Sequence, residues 1–173
     1  MSNLGYKIKN LFSKKHKILF LVRKSQNQYS YSYNSSGLYN SARFIVEMLK
    51  ETGVDAKIVE VVDSNQIDKE VHDFKPDHVI IEAFWVTKEK FKELLKLHPT
   101  VEFVVRNHSK PEFLAQEGTA FEYSVEYFKL GIKIACNSHQ MVEAYHVLLN
   151  SRHMDHALAF YLPNYYFDES ECE

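Results

Sequence analysis

Residues 17–23 of the chain have the sequence KILFLVR, and residues 56–62 have the sequence AKIVEVV. Both runs are short, apolar and rich in β-branched residues, as expected of strands buried in a parallel sheet. The segment between them places apolar residues three or four positions apart, the period of a helix with one buried face; they are Leu38, Ala42, Ile45 and Leu49. This part of the chain therefore predicts a strand, a helix and a second, parallel strand.

The same alternation continues along the chain. Four further apolar runs predict strands, at His78–Phe84, Val101–Arg106, Ile132–Cys136 and Ala157–Leu162. Because right-handed crossovers leave few other topologies, we expect one Rossmann-like α/β domain over residues 17–167. Its parallel sheet would have about six strands in the order 3-2-1-4-5-6, with helices on both faces. Residues 1–16 and the acidic tail 168–173 flank this domain.

Composition agrees with a single globular domain. The 173 residues are 45% hydrophobic and 25% charged, which excludes disorder for most of the chain. No apolar run approaches the roughly 20 residues of a membrane-spanning helix or has the pattern of a secretory signal. Cys136 and Cys172 form no disulfide framework. We therefore expect a cytoplasmic protein with free thiols. The histidine spacings match no zinc motif, and we expect no metal and no cofactor.

Charge is distributed unevenly along the chain. The first 46 residues contain eight basic and no acidic residues, whereas the remainder contains 13 basic and 23 acidic ones. Within residues 1–16 the side chains Leu4, Ile8, Leu11 and Phe12 share one helical face. Such a basic amphipathic segment either packs on the domain or frays, or it makes peripheral contact with a membrane. A pI near 6.5 without a basic stripe argues against nucleic acid as a partner.

A binding site is expected beyond the carboxyl ends of the strands, where the strand order reverses. For the predicted order this point lies between the first and fourth strands. The loop after the first strand contains Tyr33, and Ser35, Ser36 and Gly37 open the helix that follows. Exposed N–H groups at this helix start favour an anion such as phosphate, although a plain serine N-cap explains the same residues.

The loop after the fourth strand supplies Asn107 and His108. The imidazole of His108 is a candidate acid, base or hydrogen-bond donor and the one candidate catalytic residue, and the alternative is a histidine that caps a turn. We expect Gly37 and His108 to lie at a shared rim. Glu82, inside the third apolar run, lies either at the edge of the crevice or in an ion pair.

Ser138 follows the fifth strand and is more typical of a helix N-cap than of a nucleophile, because no G-x-S-x-G sequence surrounds it. Neither G-x-G-x-x-G nor a P-loop occurs in the chain, which argues against NAD and against ATP hydrolysis. The candidate ligand-binding residues are Tyr33, Ser35, Ser36, Gly37, Asn107 and Ser138.

In its order of motifs the chain resembles the N-terminal half of GT-B glycosyltransferases of the retaining, sugar-nucleotide type. The motifs are SSGLYNSARFIVEMLKETGVDAKIVEV after the first strand, then FKPDHVIIEAF, VEFVVRNHS, IKIACNSHQMVEAY and YLPNYY. The resemblance extends from about Lys17 to Tyr166. Two departures are Tyr165, where the family has glycine after Pro-Asn, and the single Gly37, where the family often has a glycine pair.

The resemblance implies an acceptor-side half of a sugar transferase. GT-B enzymes have a second Rossmann domain that holds the nucleotide, so activity would require a second domain or subunit, and Gly37 and His108 would face a sugar or glycan acceptor. The alternative is a non-catalytic Rossmann-like module that binds a protein, a glycan or an anionic surface, because fold alone does not fix function. A small nucleotide- or phosphate-binding regulator is a third possibility.

Overall fold

The computed structural model of the chain describes residues 16–24, 37–116 and 118–165. Its strands are β1 (Lys17–Arg23), β2 (Asp55–Val61), β3 (His78–Glu82), β4 (Glu102–Asn107), β5 (Lys133–Cys136) and β6 (Ala159–Tyr161). Its helices are α1 (Gly37–Glu51), α2 (Gln66–Phe74), α3 (Lys88–Leu97), α4 (Pro111–Gln116), α5 (Gly118–Lys129) and α6 (His139–Ser151), with a short 3₁₀ turn at His156–Leu158. Strands and helices alternate along the chain, as the sequence predicts.

The six strands form one parallel sheet, which confirms the predicted Rossmann-like α/β fold with helices on both faces. The predicted strand order is wrong. The sheet has the order β2-β1-β3-β4-β5-β6, so β3 lies beside β1 and not at an edge. In the register, Ile18 is opposite both Ala56 of β2 and His78 of β3. The order therefore reverses between β1 and β3, and this moves the expected binding crevice one strand away from β4.

Side-chain burial explains the observed order. The edge strand β2 has an exposed Glu60 and a partly exposed Lys57, which an edge position tolerates and which discourage pairing with another chain. Strand β3 is buried from Val79 to Glu82. A strand with four consecutive buried residues requires neighbours and helices on all sides, and the centre of the sheet supplies them.

Two apolar clusters hold the helices on the sheet. The larger lies on one face, where Ile67 of α2, Phe91 of α3 and Tyr145 of α6 are among its fully buried members. The smaller lies on the opposite face, where Ala42 and Ile45 of α1 pack on the sheet. Helices α2 to α6 contribute to the first cluster and α1 to the second. Since α1 is the next described element after β1, its start lies at the carboxyl edge of the sheet.

The helix starts confirm the predicted N-cap at Ser138 and show a second N-cap at Thr87. The Thr87 side chain accepts a hydrogen bond from the Lys90 N–H at 3.3 Å, and the Ser138 side chain accepts one from the Met141 N–H at 3.3 Å. Each satisfies one N–H group that the helix itself leaves without a partner. At the end of α1, Gly53 has a φ of +85°, a conformation that favours glycine.

Replacing Ser138 by alanine should lower the free energy of unfolding by about 1 kcal/mol, because the first turn of α6 loses this acceptor. Chemical denaturation followed by circular dichroism measures the change. Ser138→Asp is the matched control and should retain the stability, since its carboxylate also caps the helix and interacts favourably with the helix dipole. Equal stability of Ser138→Ala and the unmodified protein would contradict a capping role.

Within the described ranges, no helix is long and apolar enough to cross a membrane. The predicted amphipathic segment 1–16, apart from His16, and the acidic tail 168–173 lie outside the described residues.

Candidate functional site

Three charged or titratable side chains meet at the carboxyl ends of β3 and β4. Glu82, the last residue of β3, is 1% exposed, and Arg106, its register partner in β4, is fully buried. Arg106 Nη1 donates to Glu82 Oε1 at 3.1 Å. His108 Nε2 lies 2.5 Å from Glu82 Oε2. Of the two interpretations of Glu82 from the sequence, the ion pair is confirmed, and the residue is also the last of β3, at the carboxyl end of the strand. We call these three residues the Glu–Arg–His cluster.

The second terminal nitrogen of Arg106 binds two other parts of the chain. Arg106 Nη2 donates to Ser41 Oγ at 3.1 Å and to Asn164 Oδ1 at 2.7 Å. Ser41 Oγ in turn donates to Asn164 Oδ1 at 3.1 Å. Ser41 belongs to α1, and Asn164 follows β6. The buried guanidinium therefore fastens α1 and the segment after β6 to the middle of the sheet.

Arg106 retains one buried atom, Nε, without a hydrogen-bond partner among the described residues. A buried guanidinium is expensive unless a nearby carboxylate balances its charge, and Glu82 does so. The Glu–Arg–His cluster is therefore a nearly complete polar network inside an apolar sheet.

The cluster determines which ring nitrogen of the His108 imidazole is available. The Glu82 carboxylate accepts a hydrogen bond from Arg106 through Oε1, and its Oε2 is an acceptor as well. His108 Nε2 is then the donor, and among the described residues Nδ1 has no hydrogen-bond partner. The His108 side chain is 19% exposed, so it can be reached from solvent. An oriented imidazole with one free nitrogen can accept a proton or a hydrogen bond from a hydroxyl group.

Neighbouring polar residues position the loop that contains His108. Asn107 is 1% exposed, its Oδ1 accepts from the Ser109 N–H at 2.8 Å, and its amide lies 3.5 Å from the Tyr145 hydroxyl. Asn137 Nδ2 donates to the His108 carbonyl at 3.4 Å. Asn107 is thus turned inward and shapes the loop.

A thiol and a phenol near the same edge, Cys136 and Tyr145, are buried. Burial raises the pKa of the Cys136 thiol to about 12 and also raises the pKa of the Tyr145 hydroxyl. Both groups remain protonated at neutral pH, and a protonated thiol is a poor nucleophile. Within the described part of the chain, no group of three or more His, Cys, Asp or Glu side chains is placed to hold a metal ion.

The predicted site residues that the structure describes are distributed along the carboxyl edge. Gly37 is the exposed first residue of α1, and Ser41, one turn later, reaches Arg106 two residues before His108. The start of α1 and the β4 loop are therefore joined through that bond. Ser138 caps α6 after β5. Tyr33, Ser35 and Ser36 lie outside the described residues, and ligand binding by any of these residues remains a prediction.

At the observed reversal point, between β1 and β3, lies a contact that the sequence analysis did not predict. The guanidinium of Arg23, at the end of β1, lies 5.9 Å from the centre of the Trp85 ring. Trp85 Nε1 donates to the Glu82 carbonyl at 2.8 Å, which fixes the indole. Ala83, which lies between Glu82 and Trp85 in the chain, has a φ of +67°, which is rare for a residue other than glycine. Its N–H donates to the Arg106 carbonyl at 3.0 Å.

The chain is thus a Rossmann-like α/β domain with a polar cluster at the carboxyl edge of its sheet. No protein-family model matches it, and no curated protein matches it in sequence.

Solved structures similar to it include the N-terminal domain of a response regulator receiver protein from Methanoculleus marisnigri JR1, at 12% identity, a TM-score of 0.38 and coverage of 77% of this chain and 94% of that one. A cobalamin-binding protein from Desulfitobacterium hafniense DCB-2 is similar at 13% identity and a TM-score of 0.39, over 69% of this chain and 61% of that one. The lac repressor dimer bound to operator is similar at 11% identity and a TM-score of 0.42, over 93% of this chain and 51% of that one.

Proposed function

We propose that this chain is the acceptor-side half of a GT-B-type, sugar-nucleotide-dependent glycosyltransferase, and that His108 contacts the sugar or glycan acceptor. The observation that supports this most is the 2.5 Å contact between His108 Nε2 and Glu82 Oε2. The contact orients an imidazole that is 19% exposed at the carboxyl edge, the edge at which open parallel sheets bind their ligands. The order of motifs from Lys17 to Tyr166, which resembles that of GT-B enzymes, is the reason for proposing this family.

In this proposal each member of the Glu–Arg–His cluster has one role. His108 accepts a hydrogen bond from an acceptor hydroxyl through Nδ1. Glu82 binds Nε2 and so holds the imidazole in the required tautomer, and Arg106 binds the other carboxylate oxygen of Glu82. A departing nucleoside diphosphate requires electrostatic stabilisation that a second Rossmann domain or subunit would supply. The chain alone should therefore bind acceptor without turning over sugar nucleotides.

Replacing His108 by glutamine should weaken saccharide binding by at least about tenfold, since glutamine can retain the bond to Glu82 but lacks the imidazole nitrogen. Saturation-transfer NMR with a panel of neutral mono- and disaccharides, followed by titration of those that bind, measures this loss. His98→Gln is the matched control, because His98 also binds a carboxylate, Asp68 at 2.8 Å, but follows α3 at the other end of the molecule. The control should bind as the unmodified chain does.

Two results would contradict the proposal. Either no saccharide of the panel binds, or His108→Gln binds as tightly as the His98→Gln control. Separately, steady release of nucleoside diphosphate from sugar nucleotides by the pure chain would contradict the requirement for a second domain or subunit.

A non-catalytic interaction module is the second candidate, and an exposed apolar surface favours it. Phe113 of α4 is 60% exposed, Phe121 of α5 is 44% exposed and Val147 of α6 is 70% exposed. An apolar groove of about 150 Å³ lies between these three helices and includes Leu114 and Leu148. Exposed apolar surface of this kind often marks a protein interface. Partner binding that survives His108→Gln but is lost in Phe121→Ser would favour this function.

A further inference from the structure

The carboxyl end of β1 presents two cations. Arg23 is the last residue of the strand and Lys24 follows it, and both side chains are exposed. The Lys24 N–H donates to the Val61 carbonyl of β2 at 2.8 Å, so the backbone here is held in the sheet. The two charges are therefore displayed from a fixed part of the fold at the point where the strand order reverses.

No carboxylate forms an ion pair with either cation in the described part of the chain. Glu82 is neutralised by Arg106, and Asp63 accepts from the Asn65 N–H at 2.7 Å. Glu60 is the register partner of Val22, which places its side chain on the sheet face opposite to that of Arg23. Residues 25–36 include no Asp or Glu, so the loop sequence supplies no counter-charge either.

Trp85 adds a rigid aromatic surface to these charges. The indole is half-buried, its N–H is bound to the Glu82 carbonyl, and its ring faces the Arg23 guanidinium at 5.9 Å. A guanidinium that lies over an aromatic ring keeps its N–H groups available along its own edge. These N–H groups form a planar fork that matches the oxygens of a phosphate group. Arg23 is thus oriented for an anion, and no described carboxylate occupies that position.

We propose that Arg23, Lys24 and Trp85 form a binding site for the phosphate group of a small molecule, at the reversal point between β1 and β3. The site lies across the end of β3 from His108. Strand β3 separates them, since the Glu82 carboxylate faces His108 and the Glu82 carbonyl faces Trp85. This inference does not depend on sugar transfer, and the two proposals fail in different experiments.

Trp85 is the single tryptophan of the chain, so its fluorescence reports on this place alone. We expect the emission to change in a saturable manner when glucose 6-phosphate is added and to be unaffected by neutral glucose. Inorganic phosphate is the third probe. Binding of inorganic phosphate as tight as that of the sugar phosphate would identify the anion alone as the ligand, and weaker binding would identify a phosphate ester.

Arg23→Gln should weaken this binding by about tenfold and Lys24→Gln by about fivefold, because each removes one charge next to the anion. Both residues are exposed, so neither change should prevent folding. Lys50→Gln is the control, since Lys50 is an exposed lysine in the last turn of α1, far from the carboxyl edge. Raising the salt concentration should weaken binding to the unmodified chain and to this control alike.

The indole N–H signal in an NMR spectrum provides a second measurement if the emission does not respond. The proposal is overturned if neither signal responds to a phosphate-bearing probe. It is also overturned if glucose produces the same change, or if Arg23→Gln binds as tightly as Lys50→Gln.

Discussion

Replacing Arg106 by methionine should lower the free energy of unfolding by about 3–5 kcal/mol, because it leaves the Glu82 carboxylate buried with its charge uncompensated. The substitution also removes the donor shared by Ser41 and Asn164. For a domain of this size, the expected fall in melting temperature is roughly 6–20 °C. Calorimetry or thermal unfolding followed by circular dichroism measures it directly.

A control and a double variant make the result specific. Arg43→Met removes an exposed ion pair with Glu47, at 3.3 Å, and should cost less than about 1 kcal/mol. The variant Glu82→Gln with Arg106→Met removes both charges and should be more stable than Arg106→Met alone, since no unpaired charge remains. If Arg106→Met is as mild as Arg43→Met, Arg106 is not the buried partner of Glu82 that the structure describes.

Replacing Phe91 by alanine should lower the free energy of unfolding by about 3–5 kcal/mol, through lost burial and the cavity left behind. Phe91 is fully buried between α3 and the sheet, with its ring edge-on to Tyr127 at 4.8 Å and to Phe103 at 6.1 Å. Urea denaturation of the purified variant measures the loss.

Phe113→Ala is the matched control for this variant. Phe113 also lies on a helix but is 60% exposed, so its removal should change the free energy of unfolding by no more than about 0.5 kcal/mol. Similar losses in the two variants would mean that the larger apolar cluster is not packed as described.

Much of the fold could be predicted from the period of the apolar residues. The run at 17–23 matches β1 residue for residue, and the other five predicted strands overlap the observed ones with differences at their ends. The strand order was predicted incorrectly, although the sequence contains a relevant signal. Lys57 and Glu60 suit an edge strand, whereas HVIIE at 78–82 suits a central one. Weighing these two patterns would have placed β3 next to β1.

The error in strand order also hid most of the candidate site. With β3 at an edge, Glu82 and Arg106 would be strands apart, and no pairing between them could be expected. In the observed order they are register partners at the ends of neighbouring strands. His108 was found because it follows a buried strand in a polar loop. The bonds from Arg106 to Ser41 and Asn164 join residues 65 and 58 positions apart, and local sequence patterns do not report such contacts.

The bond between Arg106 and Asn164 makes the fold sensitive to shortening of the chain after β6. Asn164 lies beyond the last strand, where a tag or a truncation would ordinarily be considered harmless. Here a shortened chain ending at Tyr161 would withdraw an acceptor from a cation at the centre of the sheet. We therefore expect such deletions to loosen α1 and the middle strands, far from the cut itself.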